Sequence, residues 1–273
     1  MVGEFDVQGF LKKRLEIISV GKPLIHHITN FVVMNETANV TLCLGALPVM
    51  AHAVQEAAEM ASQAHALVIN IGTLYPEMVE AMVAAGKAAN QAGVPIILDP
   101  VGAGATSYRT RVAQSLLDEI QFATVRGNAA EIAVLAGEAA EIRGVESVSA
   151  GAGAEQIAKQ AADQLGCVAA VTGAVDVVSD GNKVFRVSNG HPIMCGITGT
   201  GCMATTTIAV LLASGEPYVE ATAAALGLFG LAGEHAAKAS GGRPGSFHVE
   251  LYNSLYELAG SGDLEGLRVE MSA

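Results

Sequence analysis

Ile96-Ile97-Leu98-Asp99-Pro100-Val101-Gly102-Ala103-Gly104 is the stretch from which the fold can be read. Three apolar residues, two of them β-branched, suit a short buried strand; the proline stops it and the glycines turn the chain away. The same pattern recurs on either side. Residues 67–70, 122–125 and 168–172 are equally brief apolar runs, each preceded or followed by an alanine-rich segment of helical length. Strands alternating with helices predict an α/β fold with a mostly parallel central sheet and helices on both faces. Residues 175–179 and 183–187 flank Asp180-Gly181-Asn182, a turn sequence that predicts a hairpin and hence a small antiparallel edge. After the hairpin the chain reads as mostly helical, and residues 138–154, rich in Gly, Ser and Ala, read as a loop.

Composition restricts the function classes. The 273 residues contain no linker, low-complexity tract or fixed-period repeat, which predicts one domain over residues 1–273. Hydrophobic residues make up 51% and charged residues 15%, so helices can pack closely and apolar surface is left over for a second copy of the chain. A net charge of −12 without a basic stripe argues against nucleic acid and anionic membranes as partners. Residues 1–20 are too charged for a secretory leader, and the apolar stretches 40–53 and 221–233 fall short of the roughly 20 residues that span a bilayer. A cytoplasmic protein is expected. Cys43, Cys167, Cys195 and Cys202 lack CxxC spacing and read as reduced thiols rather than zinc ligands or disulfides.

In such sheets ligands gather at the carboxyl ends of the strands. Asp99 stands at one such end, as a Mg²⁺ ligand or as the cap of a turn. Residues 122–125 run into Arg126-Gly127-Asn128-Ala129-Ala130-Glu131, where Asn128 and Glu131 have capping-box spacing. Glu131 can equally hold a metal through water, and Arg126 can reach a polyphosphate. Gly196-Ile197-Thr198-Gly199-Thr200-Gly201-Cys202-Met203-Ala204 is a glycine-rich turn entering the apolar segment 205–213. Backbone amides crowded at a helix start make an anion cradle. The field of that helix end is expected to lower the Cys202 thiol pKa from about 8.5, which would make it a base or nucleophile.

Other phosphate motifs fail. No Gly-x-x-x-x-Gly-Lys-Ser/Thr, His-Glu-x-x-His or Gly-x-Ser-x-Gly occurs. Gly199-x-Gly201-x-x-Ala204 formally fits a dinucleotide fingerprint, but the His191-Pro192-Ile193-Met194 segment before it is a poor strand. His26 and His27, if extended, face opposite ways, so one can line a pocket while the other is structural. His52, His65, His191, His235 and His248 read as surface or satisfied core residues, and Met34, Met60, Met78 and Met82 as core filler.

Taken together, Asp99-Pro100-Val101-Gly102, Asn128-Ala129-Ala130-Glu131 and Gly199-Thr200-Gly201-Cys202 resemble the ribokinase-like small-molecule kinases. His27-Ile28-Thr29-Asn30 with Asn35, Pro48-Val49-Met50 and Val171-Thr172-Gly173 narrow the resemblance to the hydroxyethylthiazole kinases, over nearly the whole chain. The resemblance implies phosphorylation of 4-methyl-5-(2-hydroxyethyl)thiazole by Mg-ATP in thiamine salvage, and a homotrimer with substrate pockets between subunits. Carried onto these positions, it implies Met50, Asn30 and Gly199 at the thiazole, and Arg126 and Thr172 at ATP. Thr200 and Gly201 would lie at the transferring phosphate, Asp99 and Glu131 at Mg²⁺. Cys202 occupies the place where the wider superfamily carries an Asp base, and stands as base or as a residue shaping the pocket. Sister activities on the same scaffold are a hydroxymethylpyrimidine or pyridoxal kinase and the ADP-dependent dehydratase that repairs hydrated nicotinamide nucleotides. Cys202 in place of Asp argues against the dehydratase. A nucleotide-binding regulator without turnover is a third class, disfavoured by Asp99, Glu131 and the glycine cradle.

Overall fold

A computed structural model of the chain describes residues 5–137 and 152–272. Helix α1 (Val7–Gly21) precedes two strands, β1 (Leu24–Ile28) and β2 (Leu47–Val49), joined through α2 (Met34–Cys43). Strand β3 (Ala66–Asn70) follows α3 (Val54–Gln63), β4 (Ile96–Asp99) follows α4 (Pro76–Ala92), and β5 (Thr124–Asn128) follows α5 (Ser107–Glu119). Helices α6 (Ala129–Leu135) and α7 (Ala152–Leu165) lead to β6 (Val168–Thr172) and the hairpin β7 (Asp176–Ser179) and β8 (Val184–Val187). Three long helices, α8 (Thr200–Leu212), α9 (Tyr218–Ser240) and α10 (Pro244–Ser261), precede a last strand, β9 (Val269–Met271).

The strands form one sheet in the order β2-β1-β3-β4-β5-β6-β7-β8-β9. Pairings from β2 through β6 are parallel, while β7, β8 and β9 add antiparallel. The α/β architecture and the antiparallel edge therefore stand as expected.

Strand periodicity divides the core in two. Alternate residues Ile25, Ala66, Val68, Ile97, Ala170, Val178 and Phe185 point to a cluster under α1, α2, α8, α9 and α10. Their neighbours Leu67, Ile69, Ile96, Leu98, Val125, Ala169 and Val177 point the other way, under α3 to α7. Helix α9 presses its glycines onto the antiparallel edge. A Cβ at Gly227 would lie 2.7 Å from Val269, one at Gly230 2.5 Å from the Asn189 carbonyl oxygen, and one at Gly233 2.6 Å from the Met194 sulfur.

Some boundaries differ from the sequence expectation. The strand expected over 122–125 begins at Thr124 and continues through Arg126, Gly127 and Asn128. The reason is the neighbouring strand: Arg126 pairs with Ala170 and Gly127 with Val171, so the ladder continues where apolarity stops. Strand β1 escapes the apolar pattern because His26 and His27 occupy its centre, and β2 and β9 are three residues each. The loop expected over 138–154 lies outside the described residues as far as 151, and 152–154 begin α7. Among the described residues no helix is long and apolar enough to cross a membrane.

Candidate active site

The carboxyl ends of the parallel strands open into a cleft of about 350 Å³. Asn30 follows β1, Gly72 follows β3, Asp99 ends β4, and Arg126 and Asn128 lie in the last turns of β5; all five line it. Opposite them stand Thr198, Gly199, Gly201 and Cys202, at the start of α8. The parallel order explains the meeting, because every parallel strand delivers its last residue to the same side of the sheet.

Gly199 caps α8 with φ +87°, a left-handed backbone, and a Cβ there would lie 2.7 Å from Val33. A Cβ on Gly201 would lie 2.7 Å from the Arg126 Nη1 atom. Gly199 is therefore required by its backbone, and a side chain at Gly201 would displace the Arg126 guanidinium; together they leave the unpaired amides of the first helical turn facing the cleft. Arg126 donates from Nη2 to Thr172 Oγ1 at 2.7 Å, which aims its other nitrogen toward Asp99 Oδ1, 3.9 Å away. Its Nε is buried and finds no partner among the described residues. An anion would complete this guanidinium.

Asp99 is buried, and burial pushes its carboxyl above the ordinary range, against the opposing pull of Arg126. Asn70 and Thr205 both donate to its Oδ2, at 2.8 and 3.0 Å. Glu131 completes the expected capping box, accepting from the Asn128 N–H at 2.9 Å while Asn128 accepts from its own N–H at 2.9 Å. Its second oxygen accepts from the Gly102 N–H at 2.8 Å. The capping and ligand readings of Glu131 thus coexist, since an oxygen that accepts one hydrogen bond has a lone pair left and Glu131 lines the cleft, where it can hold a cation through water. Two oxygen donors and room for water suit Mg²⁺, which keeps most of its hydration shell.

The structure corrects the expectation for Cys202. Burial, and next the charge of Asp99, push its thiol up to about 12 rather than down. The donors from Asn70 and Asn30 and the charge of Arg126 pull the other way without offsetting burial and Asp99, so near neutrality Sγ is protonated.

Three expected residues stand outside the cleft wall. Thr172 reaches it through Arg126, and donates to the Gly127 carbonyl at 3.2 Å. Thr200 spends its hydroxyl on the Met194 carbonyl at 3.1 Å, and contributes backbone to the first turn of α8. Met50 is half-buried just beyond β2, the outermost strand on its side of the sheet. Its segment is tied to β1: His26 Nε2 donates to the Ala51 carbonyl at 3.1 Å, and the Thr29 N–H donates to His52 Nε2 at 3.1 Å. Asn30 lines the cleft with its amide already committed, donating to Asn70 at 2.8 Å and accepting from the Val32 N–H at 3.1 Å.

Two residues had no reading in the sequence. Asn70 is a polar end on an apolar strand, a signal that could have marked it. Arg109 bridges two walls of the cleft, donating to the Val101 carbonyl at 2.6 Å and the Gly72 carbonyl at 2.7 Å. Nothing local in the sequence marks that.

The profile of the Hydroxyethylthiazole kinase family matches residues 15–261. The chain belongs to the hydroxyethylthiazole kinase family. It is 55% identical over 246 residues to the hydroxyethylthiazole kinase of Desulfatibacillum aliphaticivorans, covering 90% of this chain and 91% of that protein. The solved hydroxyethylthiazole kinase of Pyrococcus horikoshii OT3 is 44% identical, with a TM-score of 0.88 over 97% of this chain and 100% of that one. A ribokinase-like superfamily protein from Enterococcus faecalis V583, 14% identical with a TM-score of 0.62 over 90% of this chain and 88% of that one, shares the fold.

Proposed function

We propose that the chain transfers the γ-phosphoryl group of ATP to the hydroxyl of 4-methyl-5-(2-hydroxyethyl)thiazole, a step of thiamine salvage. The observation that carries this reading is the convergence of the Arg126 guanidinium, the Gly199–Cys202 helix start and the Asp99 carboxylate on one cleft. The family name supports the acceptor, since the relatives are hydroxyethylthiazole kinases. The amides of Thr200, Gly201 and Cys202 receive charge that spreads over the transferring phosphoryl, and Arg126, held by Thr172, balances the phosphate chain. Asp99 and Glu131 would hold Mg²⁺, which when bound would neutralise charge on the phosphates. The alcohol enters from the side of Asn30 and Gly199. In a loose transition state it needs little prior deprotonation, so a protonated Cys202 at the transfer point serves as a positioned wall more than as a base.

Met50 stands outside the cleft of a single chain, which supports a substrate pocket completed between subunits. Phe31 and Val32, 58% and 55% exposed, sit beside Asn30, and Leu47 is exposed on the edge strand. These apolar residues fit a homotrimer with sites at its interfaces, in the cytoplasm.

ADP release with Mg-ATP, measured against hydroxyethylthiazole, hydroxymethylpyrimidine, pyridoxal and ribose, tests the assignment. Release that depends on the thiazole and is small with the others is expected. Equal turnover on another alcohol would replace the acceptor while leaving the phosphate site; silence on all four would remove the kinase reading.

A further inference from the structure

Asn70 ends β3 at 1% exposure, and every hydrogen-bonding position of its amide is filled. The Oδ1 atom accepts from the Gly72 N–H at 2.9 Å and from Asn30 Nδ2 at 2.8 Å. The Nδ2 group donates to Asp99 Oδ2 at 2.8 Å and to Cys202 Sγ at 3.2 Å. Only the bond to Gly72 is local, the short turn an asparagine side chain makes with the amide two residues on. The other three cross to the end of β1, the end of β4 and the start of α8.

The local bond decides the rest. A main-chain N–H can only donate, so it forces Oδ1 toward Gly72 and turns Nδ2 toward Asp99 and Cys202; the amide cannot flip without leaving two donors facing each other. Pairing of Asn70 with Asp99 in the β3–β4 ladder puts the two side chains on the same face of the sheet. A residue needed only to close the turn would require one of these four bonds, and the remaining three all end on residues that line the cleft.

We propose that Asn70 is a positioning residue for phosphoryl transfer, its amide locking the acceptor side (Asn30), the cation side (Asp99) and the transfer point (Cys202) into one geometry. This rests on the kinase reading above. Misplacement of reacting groups by about 1 Å costs on the order of 10²-fold in rate, so the lock acts on kcat more than on ATP binding.

The test uses Asn70→Ala and Asn70→Asp in the full chain. The aspartate keeps the acceptor toward Gly72 and Asn30, and so the turn, if the alanine variant does not fold; in place of the two donors it sets a second carboxyl oxygen against Asp99 and Cys202. Three quantities are read: kcat and KM on thiazole and ATP, the ratio of ATP hydrolysed to thiazole phosphorylated, and the coupling with Cys202→Ala. Expected are a kcat lowered about 10- to 100-fold, KM for ATP within about threefold, and more ATP hydrolysed per thiazole phosphorylated. The Asn70 change should also cost at least about threefold less once Cys202 is alanine. A kcat loss that tracks only the folded fraction, an unchanged hydrolysis ratio, or full additivity with Cys202→Ala would overturn the proposal. Absence of thiazole phosphorylation by the unsubstituted chain would instead remove the kinase reading, so the two failures are distinct.

Discussion

At the scale of single residues, the cleft depends on what two glycines leave out. Gly201→Ala places a methyl 2.7 Å from Arg126 Nη1, so the guanidinium must swing off its place between Thr172 and Asp99. We expect KM for ATP to rise about tenfold, and Arg126→Ala to lower kcat/KM for ATP about 100-fold, as for loss of a charged hydrogen-bonding group. Steady-state kinetics with ATP varied checks both. Cys202→Ala should keep kcat within about tenfold, because a thiol pushed up to about 12 holds its proton near neutrality. A fall of 10²-fold or more on the same assay would return the base role to it. Asp99, Arg126, Glu131, Gly199 and Gly201 were legible because each follows a strand or opens a helix, positions that local pattern alone identifies. The protonation of Cys202 was not, since it depends on burial and then on Asp99, more than a hundred residues away in the chain. The place of Asn70 at the end of an apolar strand was visible, but its role was not, since three of its partners come from other segments.

At the scale of elements, the sheet is built by periodicity and its margins by packing. Strand β5 shows the difference, extending through Arg126 and Gly127 because β6 lies alongside to pair with them. Helix α9 shows the converse, a helix whose interior glycines would ordinarily weaken it. Their return is close approach, with Gly230 facing the Asn189 carbonyl. Gly230→Ala gains about 1 kcal/mol of helix propensity but forces α9 away from backbone that cannot yield, so net destabilisation of about 1–3 kcal/mol is expected. Denaturant unfolding measures it, and a stabilised variant would show the contact to be soft. From sequence these glycines are only members of the apolar stretch 221–233, because spacing records where a side chain is missing and not what fills the space.

At the scale of the whole molecule, burial sets the response to acid. His27 is held near a pKa of about 3 and His26 near about 4, chiefly by burial, against 6.5 for the free ring. His27 Nε2 is 3.1 Å from Thr41 Oγ1, whose own hydrogen goes to the Thr37 carbonyl at 2.8 Å, so Nε2 carries the hydrogen and donates, and burial keeps the ring neutral. The unfolded chain therefore binds these protons first. Their contribution to stability is complete above about pH 6.5 and is lost as pH falls toward the folded values, at up to about 1.4 kcal/mol per pH unit for each ring. Asp176, raised to about 6 by burial, acts with the opposite sign over part of that range. His27→Gln keeps the donor without the titration, so between about pH 7 and pH 5 it should lose less stability than the unsubstituted chain, by denaturant unfolding at each pH. Equal losses would show that His27 protonates as readily folded as unfolded.

The sequence by itself determined the α/β class, the parallel sheet with its antiparallel edge, and the family, because alternation of short apolar runs with helices, and glycines at fixed offsets from acids, are local properties of a chain. Tertiary structure alone decided that Cys202 is a protonated thiol, that Asn70 and Arg109 brace the cleft, and that Met50 stands apart from it. Each of these depends on desolvation or on hydrogen bonds between segments far apart in sequence, and neither exists until the strands lie side by side.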